Sequence, residues 1–177
     1  MKICLHYGDI FDVKDADTIA LPIDGLEPGL EGRIAHQLLK RIGETSLDAI
    51  YDRPAQYPFN GRAHWSSLKS FDQVHFQWLC ALGTGIRSSS GIGSDSTPRP
   101  NQKQLARGAL SHMFAQGHVG HLGRRIACPL LSGGGRISSI DAAYLLLDVA
   151  GHERSDIELH VAENRQDVYE MVRPILG

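Results

Sequence analysis

Apolar side chains recur along this chain with two different periods, and the two periods alternate. Residues 2–7 and 18–23 are short strand-like runs bounded by Gly and Asp residues. From Gly32 onward, apolar side chains fall on one face of a predicted helix that ends at Gly43; they are Ile34, Leu38, Leu39 and Ile42. The chain therefore opens with two strands and a helix.

The second half of the chain continues this alternation. We predict, in order, a buried strand at 125–131, a helix at 139–150, a strand at 156–162 and a helix at 164–176. Strands joined in this way by helices lie parallel, with helices on both faces of the sheet. The order predicts an α/β fold with a central, mostly parallel sheet.

The middle of the chain is less regular. The pattern predicts a short helix at 44–53, an extended segment at 61–68, a strand at 73–82, a Gly/Ser/Pro-rich loop at 83–100, a helix at 102–116 and a turn at 117–123. We find no repeat, charge block or linker, so we interpret residues 1–177 as one domain.

Composition excludes several classes of protein. Hydrophobic residues make up 42% of the 177 residues, which suits a packed core and not a disordered chain. The 18 Lys and Arg against 20 Asp and Glu give a net charge of −2, which argues against a surface built mainly to hold nucleic acid.

Cysteines and targeting signals point to a cytoplasmic protein. Cys4, Cys80 and Cys128 lie far apart in apolar runs without a Cys-x-x-Cys pair, which indicates buried thiols in a reducing compartment. The first residues lack the apolar segment of a signal peptide, and nowhere do 18 apolar residues run together. We expect no membrane association.

Glycine is the compositional outlier, at 19 of 177 residues, or about 11% against a usual 7% or so. Ten of the glycines follow three predicted strands: Gly25, Gly29, Gly32, Gly83, Gly85, Gly91, Gly93, Gly133, Gly134 and Gly135. Ligands of α/β sheets bind at the carboxyl ends of the strands, and glycine loops let backbone N–H groups approach phosphate. We favour phosphate binding over a merely flexible connection, especially at 132–135 before a helix.

Other chemistries lack their sequence signatures. The absence of any Gly-Lys pair excludes a Walker A loop, and residues 83–88 lack the third glycine of a dinucleotide fingerprint. His112, His118 and His121 lack the partners and spacing of a zinc site, so we interpret them as surface histidines. Ser132 has no Gly-x-Ser-x-Gly elbow around it. We expect neither a metal nor a cofactor.

Four segments together resemble a macro domain, a family that binds ADP-ribose. They are Gly8-Asp9-Ile10, residues 17–24 (DTIALPID), residues 29–32 (GLEG) and residues 127–134 (ACPLLSGG). The resemblance covers roughly residues 1–43 and 73–177, in the family's order. It implies a three-layer α/β/α domain with a mixed sheet.

The resemblance assigns the adenine end of a ligand to the loop after the first strand. Asp9 matches the acidic residue that accepts a hydrogen bond from the adenine amine, and Ile10 matches its apolar neighbour. A carboxylate at that position selects adenine over guanine, which presents an oxygen there. The alternative is a turn aspartate without a ligand.

The loop after the second strand departs from the family pattern. Where the family has Asn-Ala-Ala-Asn, this chain has residues 21–24, so Leu21 and Asp24 replace the amides. The polyglycine stretch is shortened to 27–29, leaving Gly29 as a ligand-binding candidate. Glu31 matches the acid that activates water in hydrolytic members; the alternative is an acid that stabilises a helix start.

The loop after residue 131 matches the family's second phosphate loop. Ser132, Gly133, Gly134 and Gly135 occupy it, and Arg136 stands where the family often has an aromatic residue. Arg136 would pair with phosphate, or else is simply exposed.

These assignments imply binding of ADP-ribose or a related adenine diphosphate, as a reader of ADP-ribosylated protein or nucleic acid. Two alternatives stay open. One is an ADP-ribosyl or phosphate-ester hydrolase that uses Glu31 or Asp24 to activate water, and the other is an inactive scaffold. The oligomeric state is not encoded in any pattern that we recognise.

Overall fold

The computed structural model describes residues 1–24, 32–51, 60–85, 101–120, 123–132, 137–152 and 156–177. Its strands are β1 Lys2–Tyr7, β2 Thr18–Asp24, β3 Ala63–Ser67, β4 Trp78–Gly85, β5 Arg125–Pro129 and β6 Glu158–Glu163. Its helices are α1 Arg33–Ile42, α2 Gln102–Gly120, α3 Ser139–His152 and α4 Gln166–Leu176, with 3-10 turns at Ile10–Asp12 and Leu47–Ala49. None of these helices is both long and apolar enough to cross a bilayer.

The strands form one mixed sheet in the order β1-β6-β5-β2-β4-β3. Five strands are parallel to their neighbours, and β3 alone pairs antiparallel, with β4. This confirms the predicted mixed, mostly parallel sheet. Because the five parallel strands end at one edge, the segments that follow them gather there.

The sheet is buried on both faces, as the apolar runs predict. In β2, Ile19 and Leu21 face the cluster that contains α1 and the two 3-10 turns, whereas Ala20 faces the cluster that contains α2, α3 and α4. All three side chains are fully buried. The fold is therefore three layers, helix on sheet on helix.

Glycine fixes both ends of α1. Gly32 is its N-cap, and Gly43 ends it with φ +78°, donating its N–H to the carbonyl of Leu39. A left-handed residue at this position is a common helix stop that favours glycine. The helix predicted from Gly32 to Gly43 is confirmed.

Part of the glycine excess serves packing and not a ligand loop. Gly61 has φ +75°, and a Cβ on Gly108 of α2 would lie 2.8 Å from the Gly61 carbonyl oxygen. The chain before β3 thus touches the backbone of α2, which a larger residue at position 108 would prevent.

The prediction of a strand at 73–82 is wrong in its first half. Residues 73–77 belong to the loop of a β3–β4 hairpin, which closes where the Leu68 N–H donates to the carbonyl of Gln77 at 2.8 Å. Phe76 is buried in this loop, so its apolar character reflects burial and not strand pairing.

Other boundaries also differ from the predictions. The loop predicted at 83–100 begins too early, because β4 continues to Gly85 and therefore contains Gly83 and Gly85. The helix predicted at 44–53 is only the 3-10 turn Leu47–Ala49, capped by the Ser46 side chain, in the part of that span the structure describes. The turn predicted at 117–123 begins too early, because α2 continues to Gly120.

Candidate functional site

The candidate site lies at the edge of the sheet where the parallel strands end. Asp9 follows β1, Asp24 ends β2 and Ser132 follows β5. Gly29, Glu31 and the predicted ligand residues 133–136, which include Gly133, Gly134, Gly135 and Arg136, lie outside the described residues, and only the backbone of Asp24 is described. Of the predicted side chains, the structure therefore describes Asp9, Ile10 and Ser132.

Asp9 is the N-cap of the 3-10 turn Ile10–Asp12. Its Oδ1 accepts a hydrogen bond from the Phe11 N–H at 3.0 Å, and the side chain is half-buried. The turn is fastened to the core because Ile10 and Phe11 are buried. Asp9 is thus a turn aspartate with one oxygen engaged, and its Oδ2 contacts no hydrogen-bond donor among the described residues.

Leu21, where the resemblance implies an amide in relatives, is a core residue. Its side chain is fully buried in the cluster that includes Leu38 and Leu39 of α1. A leucine here stabilises the packing of α1 on the sheet and does not reach the edge. The departure at this position is therefore a change of role from polar contact to core packing.

Ser132 is held by a residue that sequence reasoning missed. The Nη2 of Arg165 donates to the Ser132 Oγ at 3.2 Å, although 33 positions separate the two residues. Ser132 is 9% exposed. Arg165 lies directly before α4, in the segment that follows β6. The neighbouring strands β5 and β6 thus bring the two residues together at the same edge.

Arg165 is itself fixed by Glu163, the last residue of β6. Its Nε and Nη2 donate to the two carboxylate oxygens at 3.0 and 3.1 Å, and its backbone N–H donates to Oε1 at 2.9 Å. Glu163 is 6% exposed. The hydrogen bonds to Glu163 raise the pKa of Arg165 above its ordinary value, so the guanidinium is charged at any pH the fold tolerates.

The sequence marks Glu163 and Arg165 by their charge and position and not by glycine content. Glu163, Asn164 and Arg165 directly follow the predicted strand at 156–162, at the edge where a ligand is expected. This segment contains no glycine, so glycine content does not identify it as part of a ligand site. Charged residues at the end of a buried strand were the available clue.

The far end of the β5–α3 connection is fixed as well. Ile137 is buried, and the Ser138 Oγ accepts from the Asp141 N–H at 3.0 Å while its hydroxyl donates to Asp141 Oδ2 at 2.7 Å. This is a reciprocal helix cap. The bond from Ser138, followed by the ion pair with Lys103, lowers the pKa of the Asp141 carboxyl.

The start of α1 offers a contrasting arrangement. Its N-cap, Gly32, provides no side-chain hydrogen bond, and the first turn contains no acidic residue. The first residue, Arg33, is basic, which is unfavourable at the positive end of a helix. A Cβ on Gly32 would lie 3.4 Å from the Pro22 carbonyl oxygen, so the backbone passes close to the end of β2.

The sequence patterns also missed a contact between two histidines, since the two residues are far apart along the chain. The Nε2 of His6 in β1 lies 2.8 Å from the Nδ1 of His160 in β6, and the rings stack. His160 is 4% exposed. Burial, then the neighbouring His160, lowers the pKa of His6, and Asp15 opposes this shift.

The interpretation of His112 as a surface histidine is wrong. Its Nδ1 accepts the Ala63 N–H at 3.0 Å, which ties α2 to the start of β3. The side chain of His118 and the whole of His121 lie outside what the structure describes. No group of three or more His, Cys, Asp or Glu able to hold a metal ion occurs among the described residues.

The thiols are free and not activated. Cys80 and Cys128 are buried, as predicted, and Cys4 is half-buried. Burial raises the pKa of Cys128 to about 12 and that of Cys80 well above its ordinary value. Neither thiol is a nucleophile near neutral pH.

Sequence comparison and structure comparison give different answers. No family model matches the chain, and no curated protein matches it. Solved structures do match, and three macrodomains among them illustrate the similarity.

The first of the three is a mutant of the Oceanobacillus iheyensis macrodomain, with TM-score 0.68, 18% identity, and coverage of 97% of this chain and 89% of that one. The macrodomain of Thermus aquaticus DarG has TM-score 0.65, 13% identity, and coverage of 91% and 97%. A second mutant of the Oceanobacillus iheyensis macrodomain, solved with ADPR, has TM-score 0.60 and 18% identity, and the match covers 97% of this chain and 90% of that one.

Proposed function

We propose that this chain, a divergent macro domain by its fold, binds ADP-ribose or a related adenine diphosphate where its parallel strands end. The observation that carries the proposal is the arrangement of Asp9 and Ser132 on either side of β6. Because β1 and β5 both neighbour β6, the ends of the two strands that these residues follow lie about two strand spacings, or ~10 Å, apart.

The adenine end of the ligand would be recognised at Asp9. Its Oδ1 is engaged by the Phe11 N–H, which orients the carboxylate, and Oδ2 is free to accept the exocyclic amine of adenine. Ile10 is buried beneath the turn and would support the pocket from below.

The diphosphate end would be recognised at Ser132 and, by the sequence resemblance, at Gly133, Gly134, Gly135 and Arg136. The capped N-terminus of α3 follows this loop and favours negative charge. Arg165, paired with Glu163, places a fixed guanidinium donor beside Ser132. The similar fold of the Oceanobacillus iheyensis macrodomain mutant solved with ADPR supports the choice of this class of ligand.

Within this proposal the chain acts as a reader of ADP-ribosylated protein or nucleic acid. Hydrolysis through Glu31 or Asp24 is the alternative implied by resemblance. Binding is proposed first because Asp9 and Ser132, which carry it, are described residues at this edge, and the carboxylates of Asp9 and Glu163 have structural partners that hold them in place.

Calorimetric titration with ADP-ribose tests the proposal. Asp9→Asn keeps an oxygen that caps the turn but presents an amide N–H₂ to the adenine amine. Loss of one charged hydrogen bond is expected to weaken binding about tenfold or more. Asp12→Asn, a change at an exposed position in the same turn, is the matched control and should bind as wild type. No heat from wild type at roughly 100 μM protein, a concentration that detects weak affinity, would overturn the proposal.

A further inference from the structure

Glu163 is a carboxylate in an unusual place, because it is only 6% exposed although it ends a strand at the edge of the proposed binding site. A buried carboxylate is stable only when it is paired and hydrogen-bonded. Three donors from one residue, Arg165, supply this: the backbone N–H, Nε and Nη2. The guanidinium is consequently fixed at a definite position although its side chain is 54% exposed.

The fixed guanidinium determines how the Ser132 hydroxyl is used. A serine hydroxyl has one proton to donate, and here its oxygen already accepts from Arg165 Nη2 at 3.2 Å. No acceptor for the serine proton lies among the described residues. A hydrogen bond that a cation donates to the hydroxyl oxygen also polarises the O–H bond. The proton is thus left for an acceptor beyond the described part of the chain.

From this geometry we infer that Arg165 is a positioning residue. Clamped by Glu163, it holds Ser132 so that the serine hydroxyl donates to a diphosphate oxygen of the bound nucleotide. The inference rests on the proposed function and adds to it a selectivity for the diphosphate, exerted from the β6–α4 segment. Arg165 acts through Ser132 and need not touch the ligand.

A double-mutant cycle with Ser132→Ala and Arg165→Gln tests this inference by calorimetry with ADP-ribose. Each single variant is expected to weaken binding about tenfold, the size of one charge-assisted hydrogen bond. The double variant should be no weaker than the worse single variant, because both remove the same contact. Arg173→Gln, which changes an exposed arginine on α4 paired loosely with Glu170, is the matched control and should bind as wild type.

A second ligand separates positioning from general damage to the fold. Adenosine lacks the diphosphate, so Arg165→Gln should leave its binding, followed by NMR titration, unchanged within about twofold. Because Arg165→Gln leaves Glu163 buried and unpaired, the Glu163→Gln/Arg165→Gln variant is measured as well. It should lose ADP-ribose affinity while keeping a wild-type melting temperature.

Three results would overturn the inference. They are wild-type affinity for ADP-ribose in Arg165→Gln, additive losses in the Ser132 and Arg165 cycle, and equal losses for ADP-ribose and adenosine. In each case wild-type binding of ADP-ribose would leave the proposed function intact. Failure of wild type to bind ADP-ribose would overturn both proposals together.

Discussion

The two connections that flank the candidate site are built differently. The β5–α3 connection, between Pro129 and Ser139, has a side-chain anchor at each end: Arg165 on Ser132 and the reciprocal cap of Ser138 with Asp141. The β2–α1 connection, between Asp24 and Arg33, enters α1 at a glycine with no side-chain cap. Among the described residues, the fixed side-chain donors Arg165 and Ser132 therefore lie on the β5–α3 side.

The difference bears on where the proposed recognition of a diphosphate would take place. In the shortened sequence at 27–29, Pro28 removes one backbone donor, and Arg33 stands where an acid would stabilise the helix start. The β5–α3 side has the opposite character, with a charged arginine beside its first hydroxyl. The proposed function therefore places its diphosphate contacts on the β5–α3 side.

The largest expected effect comes from removing the clamp. Arg165→Ala leaves the Glu163 carboxylate buried with only a backbone N–H, which should lower the free energy of unfolding by about 2 kcal/mol. Urea denaturation measures it. Arg173→Ala removes an exposed arginine whose ion pair is 3.9 Å long and should change stability by less than about 0.5 kcal/mol. Equal effects of the two variants would contradict the clamp.

The cap at the far end of the same connection should matter about half as much. Ser138→Ala removes both bonds with Asp141 and should cost about 1 kcal/mol of stability. Ser138→Asn, which keeps a capping oxygen, should recover most of the loss in the same denaturation experiment. A loss that Asn does not recover would show that the cap is not what holds this end.

A smaller effect is expected on the pH dependence of stability. It comes from His6 in β1, beside His160 in β6, and not from the two connections. The pKa of His6 lies below its ordinary value of 6.5, so the unfolded chain takes up this proton first as pH falls. Stability should accordingly decrease as the pH drops through 6.5 toward the lower folded-state pKa.

The test is unfolding between pH 7.5 and 5.5, a range around the usual histidine pKa. His6→Gln should flatten the profile there, whereas His36→Gln, at an exposed position on α1, should not. An unchanged slope in His6→Gln would assign the dependence to other groups.

The smallest effect would come from supplying the cap that α1 lacks. Gly32 has φ −75°, which any residue adopts, and among the described residues a Cβ there would meet only the Pro22 oxygen, at 3.4 Å. Gly32→Ser should therefore raise the free energy of unfolding by a few tenths of a kcal/mol. Gly32→Ala, which adds the Cβ without an oxygen, is the control and should give no gain. A gain from both would attribute the effect to backbone entropy.

Local patterns predicted much of this fold because they act over a few residues. The strand at 2–7 agrees with β1, and the helix that ends at Gly43 agrees with α1. The hairpin loop at 73–77 was mistaken for strand because buried aromatic residues occur in both. A buried loop and a paired strand can have the same apolar composition, so only the tertiary structure distinguishes them.

The site was predicted less completely because its contacts are long-range. The turn at Asp9 and the loop start at Ser132 follow from local motifs. The bond from Arg165 to Ser132 spans 33 positions, and the contact of His6 with His160 spans 154. No spacing rule connects such residues; the order of the strands does.

The most direct test of the central claim is a crystal structure of the chain soaked with ADP-ribose. The account predicts the diphosphate against Ser132 on the β5–α3 side, within hydrogen-bond distance of its hydroxyl, and the adenine amine on Asp9. A diphosphate held by the β2–α1 connection, away from Ser132, would contradict the assignment of the contacts. A crystal without bound nucleotide at saturating ADP-ribose would contradict the proposed function itself.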